Sequence, residues 1–513
     1  VLLDVVARYS FTPNPHFFSF MADNSSSLLD RSRTVAGPGY NRWLIPPAAL
    51  AIHLAIGQAY AFSVFKKPLG ALLSGDVDHP ATGDWTAGQI GWIFSIAIVL
   101  LGLSAAIFGK WLERVGPRKA MLASALCFGG GFLIASLGVH LHSLALVYFG
   151  YGFVGGIGLG IGYISPVSTL IKWFPDRKGV ATGMAIMGFG GGAMIASPLS
   201  VALMNHFKDS APMGVAPTFI VLGIIYFLFM QFGVWTIRVP ADDWAPAGYV
   251  PNAEHSALIT SSNVSADNAI KTPQFWLLWV VLLTNVTAGI GLLETASPLI
   301  QDSFSDKALG AGRGVTAAAA AGFVGLLSLF NLLGRFFWSS ASDKMGRKVT
   351  YAIYFGLGII LYALVPTLGH NAQLTLFVVV ACVVISMYGG GFATVPAYLS
   401  DLFGKYQVGA IHGRLLTAWS TAGVLGPLIV NYLHESRKET FNQMTHGLTG
   451  TELANFLTAH PEANAFSGAG AYQTVFYTMA GLLVVGLLAN FAVTAVNERY
   501  AEKGPVTADA GGH

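Results

Sequence analysis

Charge is what this sequence has least of: 10% of its 513 residues are Asp, Glu, Lys or Arg, against roughly 25% in an ordinary soluble domain. So sparse a charged surface excludes a water-soluble fold of this length. The 28 basic residues barely outnumber the 25 acidic ones. They sit in short clusters between apolar runs, so no nucleic-acid partner is expected. Cysteine is equally scarce: Cys127 and Cys382 each lie inside an apolar segment, which excludes a disulfide framework and a cysteine metal site. No His-Glu-x-x-His and no G-x-x-x-x-G-K-[ST] loop occurs, against an intramembrane metalloenzyme and an ATP-driven pump. No segment is long enough for an attached soluble sensor domain. The chain therefore reads as a non-enzyme with no cofactor and no metal.

What is abundant is apolar. With 54% hydrophobic residues, 61 Gly and a mean hydropathy of +0.59, the composition is that of a polytopic helical membrane protein, in which Gly lets helices approach closely. A bilayer core of about 30 Å needs about 20 apolar residues of helix. Twelve such runs are present, at 43–65, 89–109, 120–139, 143–170, 179–203, 216–237, 274–299, 314–341, 349–368, 373–400, 408–433 and 471–495. They are continuously apolar, where barrel strands would alternate, so the fold class is an all-α membrane protein. One set of alternate loops carries Lys110, Arg114, Arg118, Lys119, Lys172, Arg177, Lys178, Arg238, Lys271, Lys344, Arg347, Lys348 and Lys405; the other has only Lys66, Lys67, Lys208, Lys307, Arg313, Arg437 and Lys438. The positive-inside rule makes the first set cytoplasmic, with both termini inside. Val1 to Phe20 reads as a start-site artefact ahead of Met21, a disordered extension being the alternative.

An internal repeat runs at an offset of 230. Gly109-Lys-Trp-Leu-Glu113-Arg114-Val-Gly116-Pro-Arg118-Lys119 after span two is answered by Ser339-Ser-Ala-Ser-Asp343-Lys344-Met-Gly346-Arg347-Lys348 after span eight, and Pro166 by Pro396. Two six-helix bundles follow, residues 41–238 and 273–497, with tails 1–40 and 498–513 and a polar cytoplasmic linker, 239–272. Parallel halves around a midplane site are a transporter architecture. Each loop places a carboxylate at a helix end, a Gly turn and basic residues together. Glu113, Arg114, Gly116, Arg118, Asp343, Lys344, Gly346 and Arg347 are therefore expected to gate the rocking of one half against the other.

The doubled loop, the spans and the repeat resemble the major facilitator superfamily over Asn41 to Asn497. NRWLIPPAALAIHLAIGQAYAFSVF, KWFPDRKGVATG, TPQFWLLW and NLLGRFFWSSASDKMGRK resemble its oxalate/formate antiporter family, which is similar to the monocarboxylate transporters. Drug or sugar efflux is the alternative within the superfamily, but it calls for an acidic or an amide-rich cavity.

Ionisable residues inside spans are costly and functional by default. Arg335 lies eight residues before Asp343, about 12 Å inside the cytoplasmic face at 1.5 Å per residue. One turn before it stands Asn331 rather than a carboxylate, so the missing anion is expected to be the substrate. The resemblance also implies that an Arg at this place binds a substrate carboxylate. Tyr60, Tyr163 and Tyr388, each beside glycines, are candidate hydroxyl donors to that anion, positions where the family places aromatic cavity residues; Phe392 falls where it can carry another hydroxyl-bearing ring. Trp419 stands where dicarboxylate-exchanging relatives carry a Lys, and Arg414, five residues earlier, is a poor substitute. His53 and Glu294 are candidates for carrying a coupled proton. The expectation is a monomeric secondary transporter of a small organic anion, formate, lactate or pyruvate before oxalate. It would sit in the plasma membrane, the bacterial inner membrane, and work by exchange or proton symport.

Overall fold

The computed structural model describes residues 27–502 except 77, 78, 80, 243, 250–257, 261, 306–308, 310, 311, 447 and 449. The expectation for Val1 to Phe20 and the tail beyond 502 lie outside the described residues, as does the side chain of Glu294. The chain is helical almost throughout. In chain order the long helices are α1 (Ile45–Ile56, running on as a tighter 3-10 stretch, Gly57–Phe65), α2 (Ala87–Val115), α3 (Pro117–His140), α4 (Leu144–Trp173), α5 (Lys178–Phe207) and α6 (Val215–Thr236). After the linker come α7 (Pro273–Ser303), α8 (Ala317–Met345), α9 (Arg347–His370), α10 (Leu374–Phe403), α11 (Val408–Leu415), α12 (Thr417–Thr445) and α13 (Gln473–Ala492).

Local chemistry sets several boundaries. Thr86 and Gln89 form a capping box at the start of α2, and Thr272, followed by Pro273, caps α7; each satisfies backbone donors that a first turn leaves free. Gly116 ends α2 and Gly346 ends α8, both at φ +85°. That conformation strains any residue with a Cβ, so the repeated loop needs its glycine in both copies. Pro166 and Pro396 sit inside α4 and α10 and deprive the carbonyls of Gly162 and Phe392 of their ladder donor.

Eleven helices among the described residues are long and apolar enough to cross a membrane. The remaining expected span, 408–433, falls on α11 and α12. These break at Leu416 and continue through the charged stretch Glu435 to Glu439 as far as Thr445, and that stretch dilutes the apolar character. The polar stretch 239–272 holds one helical turn, Ala266–Ala269. Ile107, Phe337 and Leu488 are exposed on the outer faces, as a lipid-facing surface requires.

The packing repeats as the sequence does. In the first half α1 packs on α5, α2 on α4 and α3 on α6; in the second, α7 packs on α12, α8 on α10 and α9 on α13. Across the halves α5 meets α8, and α2 meets α11 and α12. Both cross-half seams are lined by small residues. A Cβ on Gly413 would lie 2.1 Å from the Ala105 carbonyl oxygen, and one on Gly183 would lie 2.2 Å from the Ser339 hydroxyl. This closeness is how dispersion holds helices together where lipid removes the hydrophobic drive.

Gly413→Val should therefore wedge α11 from α2 and lower stability by about 1–3 kcal/mol. Thermal unfolding in detergent is expected to show a clear drop for it. None is expected for Gly130→Ala, whose Cβ would meet nothing within 4 Å. Equal melting of both variants would refute the tight seam.

Candidate functional site

Arg335 projects from α8 and is 0% exposed. Its Nε donates to Asn331 Oδ1 at 3.1 Å and its Nη1 to the Ile186 carbonyl at 3.4 Å, while Nη2 has no partner. No carboxylate among the described residues forms an ion pair with it. The guanidinium carbon lies 5.8 Å from the Phe189 ring centre and 5.4 Å from that of Phe392. A permanent charge held this way, with two neutral acceptors and aromatic faces, is incompletely compensated.

The three expected tyrosines converge on it. Tyr60 and Tyr163 turn their hydroxyls toward the guanidinium, and Tyr388 toward Tyr60, near enough to interact but outside hydrogen-bond geometry, so all three hydroxyls lack a partner that meets it. Gly289 makes room for Tyr388, since a Cβ there would stand 2.1 Å from its ring. Trp419 is 1% exposed and closes the group, its ring 4.6 Å from Phe392, 5.4 Å from Tyr163, 5.6 Å from Phe189 and 6.4 Å from Tyr60. Helices α1, α4, α5, α8, α10 and α12 thus bring together one guanidinium nitrogen and three hydroxyls, all donors, all unpaired, inside an aromatic wall. Such a cluster suits an anion with several acceptor lone pairs.

His53 lies beside this group with its ring stacked on Tyr163, 5.2 Å between centres and 15° between planes. Its Nδ1 faces the Ala185 carbonyl at 2.8 Å and its Nε2 the Tyr163 carbonyl at 3.1 Å. A neutral imidazole has one N–H and satisfies one carbonyl; the imidazolium satisfies both. Glu294 is on α7, away from this pair in sequence. Two residues of the region were not foreseen. Phe189 stands at the repeat offset of 230 from Trp419, a relation visible in the sequence. His412 is 1% exposed, with neither ring nitrogen partnered, and no sequence pattern marks it.

The repeated loops lie at one end of the bundle, and each carboxylate reaches across to the other half. Asp343 accepts from the backbone N–H groups of Gly179 at 2.8 Å and Val180 at 3.0 Å, at the start of α5. Glu113 accepts from Gly409 N–H at 3.1 Å, at the start of α11, and from Ser168 and Lys172 within its own half. Helix N-termini favour carboxylates. Arg347 ties Asp343 to Asp401, which Lys178 also holds. Gly116 and Gly346 form the turns. Arg118 instead bonds the Leu28 and Val234 carbonyls within its own half, and Arg114 and Lys344 are exposed. Beyond the loops, Asp267 of the linker bridges Lys110 on α2 and Arg414 on α11; hydrogen bonds from Lys110 and Arg414 hold its carboxyl below the usual carboxylate range. Arg414 thus points away from the anion cluster. A cleft of about 610 Å³ at this end is lined by residues that include Glu113, Lys172 and Lys405 and none of Arg335, Tyr60, Tyr163 or Tyr388, and the cross-half bonds of Asp343 and Glu113 are made there.

A family profile for the Major Facilitator Superfamily matches residues 39–427. The chain is 25% identical over 383 residues to the uncharacterized MFS-type transporter YhjX of Escherichia coli, covering 75% of this chain and 86% of that one. It is 26% identical over 390 residues to the oxalate:formate antiporter of Oxalobacter formigenes, covering 75% and 83%. A bacterial homologue of the iron transporter ferroportin, solved in an outward-facing state, superposes with a TM-score of 0.56 at 12% identity, covering 87% of this chain and 98% of that one, which speaks for the fold alone. The chain belongs to the Major Facilitator Superfamily, a multi-pass membrane protein that moves small molecules by secondary active transport with alternating access and carries out no catalysis.

Proposed function

We propose that the transported solute is a small monocarboxylate, such as formate, lactate or pyruvate, and that its carboxylate is the missing counter-ion of Arg335. The observation that carries this reading is the unpaired Arg335 Nη2 among three unpaired tyrosine hydroxyls. The likeness to a protein named for oxalate and formate supports the same class. One cation balances one carboxylate. With Trp419 where a second cation would stand, a second desolvated carboxylate would cost several kcal/mol. In this reading α11 and α12 together make the eleventh of twelve spans, residues 41–238 and 273–497 are the two bundles, and 239–272 links them. The loop end is cytoplasmic, in a plasma membrane, and a monomer suffices for transport. With the loop contacts made and Arg335 0% exposed, the site is occluded.

Coupling follows from charge. Sealing a bare guanidinium in the membrane costs several kcal/mol, so loaded carriers reorient faster than empty ones, which favours exchange. His53 stacks on Tyr163, which also lies within interaction range of Arg335, and like charges that near repel. An anion on Arg335 removes that opposition, so anion and proton support each other's binding, as linkage requires. Symport with a proton on His53 is then available to the same site. Glu294 is the other proton-carrying candidate.

Arg335→Lys keeps the charge and loses the planar fork. Counterflow of labelled formate or lactate in proteoliposomes is expected to show an affinity at least tenfold weaker, with normal yield of folded protein. Wild-type affinity in that variant would sink the assignment. Trp419→Lys should shift preference toward oxalate by a comparable factor. A wild type that moves oxalate better than any monocarboxylate contradicts the charge argument.

A further inference from the structure

His412 is a buried titratable side chain that the anion site does not use. It lies on α11, is 1% exposed, and neither Nδ1 nor Nε2 has a hydrogen-bond partner. Its ring centre is 5.8 Å from that of Tyr163, and His53 stacks on the same ring, so the two imidazoles flank one tyrosine. Three residues before His412, Gly409 N–H makes the cross-half bond to Glu113, which places His412 about 4.5 Å behind that lock at 1.5 Å per residue. Seven residues after it, two helical turns away, stands Trp419 of the anion cluster.

The charged groups on the elements around α11 have other engagements, while the Tyr388 and Tyr398 hydroxyls on α10 have no hydrogen-bond partner. Glu113 on α2 is held by Gly409, Ser168 and Lys172. Lys110 on α2 and Arg414 on α11 itself are held by Asp267 of the one-turn helix Ala266–Ala269. Asp401 at the end of α10 is held by Lys178 and Arg347. Tyr163 on α4 presents its ring. Among the described residues, His53 is the titratable group whose charge reaches His412.

We infer that His412 is the port through which the coupled proton passes between His53 and the water at the loop end. This rests on the proton-coupled reading above. In the closed, anion-loaded conformation the proton sits on His53 between two carbonyls, and His412, which has no acceptor to offer an imidazolium, stays neutral. When the Glu113–Gly409 bond opens, water reaches the ring nitrogens of His412. A His53 N–H bond then breaks, the proton crosses through that water, and an N–H bond forms on His412. Release to bulk water restores the neutral ring. Inward and outward proton movement use the same two stations, and mutual repulsion keeps a single proton between them.

The test is paired uptake in proteoliposomes with labelled lactate, driven by an inside-alkaline gradient or by counterflow without one. His412→Gln is expected to lower the ratio of gradient-driven uptake to counterflow at least tenfold. A wild-type ratio in that variant overturns the port, and a fall confined to His53→Asn does the same while leaving His53 as the proton site. A wild type without gradient-driven accumulation overturns the coupling and the port together. Absence of counterflow with lactate, formate and oxalate in the wild type defeats the carboxylate reading instead. The port is then decided by His412→Cys in a Cys127→Ser, Cys382→Ser background. Modification by a membrane-impermeant thiol reagent from the loop-end face only is the expected result, and protection from that face overturns it.

Discussion

One buried guanidinium organises this molecule. Arg335 cannot shed its charge and cannot reach water, and its neighbours supply two neutral acceptors, two aromatic faces and nothing for Nη2. A charge in that position is tolerable only if something else completes it for part of the working cycle. The residues around it divide between the two halves: Tyr60, Tyr163 and Phe189 from the first, Tyr388, Phe392 and Trp419 from the second. An anion that binds there touches both halves at once. That is the condition for a ligand to alter the balance between two conformations, since it must interact differently with each.

The loop end of the bundle obeys the same logic with opposite charges. Two carboxylates, Asp343 and Glu113, each cap the first turn of a helix belonging to the other half. Both contacts combine the free N–H groups of a helix N-terminus with a charge, so they are strong when made and replaceable by water when broken. The repeat explains why there are two of them at equivalent places. Under the proposed gating, a lock on one seam alone would hinge the halves, and a lock on each of the two seams would close that end evenly. The glycines that allow the backbones to meet at these seams also make the contact sensitive to small displacements, because there is no flexible side chain to absorb a shift.

Much of this was legible before the coordinates. Arg335 stands out because a permanent charge inside an apolar run has no bland explanation, and Asn331 could be placed beside it from helical spacing alone. The loop motif was legible because it occurs twice, and Phe189 was within reach of the same repeat through its offset from Trp419. Partnerships made with backbone groups were hidden: no side-chain pattern says that Glu113 will meet Gly409 N–H or that His53 will face two carbonyls. His412 was hidden for a related reason. In HGRLL it reads as part of a short polar helix end beside Arg414, and only the packing turns one of those two residues outward to Asp267 and the other inward to Tyr163. The charged extension of α12 was equally invisible, because helix length beyond an apolar run depends on local propensity and not on the bilayer.

The most direct measurement is a structure determined with formate or lactate bound. A carboxylate oxygen is expected about 2.7–2.9 Å from Arg335 Nη2, the range of a charge-assisted hydrogen bond, with at least one of the Tyr60, Tyr163 and Tyr388 hydroxyls turned onto the same carboxylate. Density for the anion elsewhere, with Nη2 satisfied by a protein carbonyl, would contradict the account.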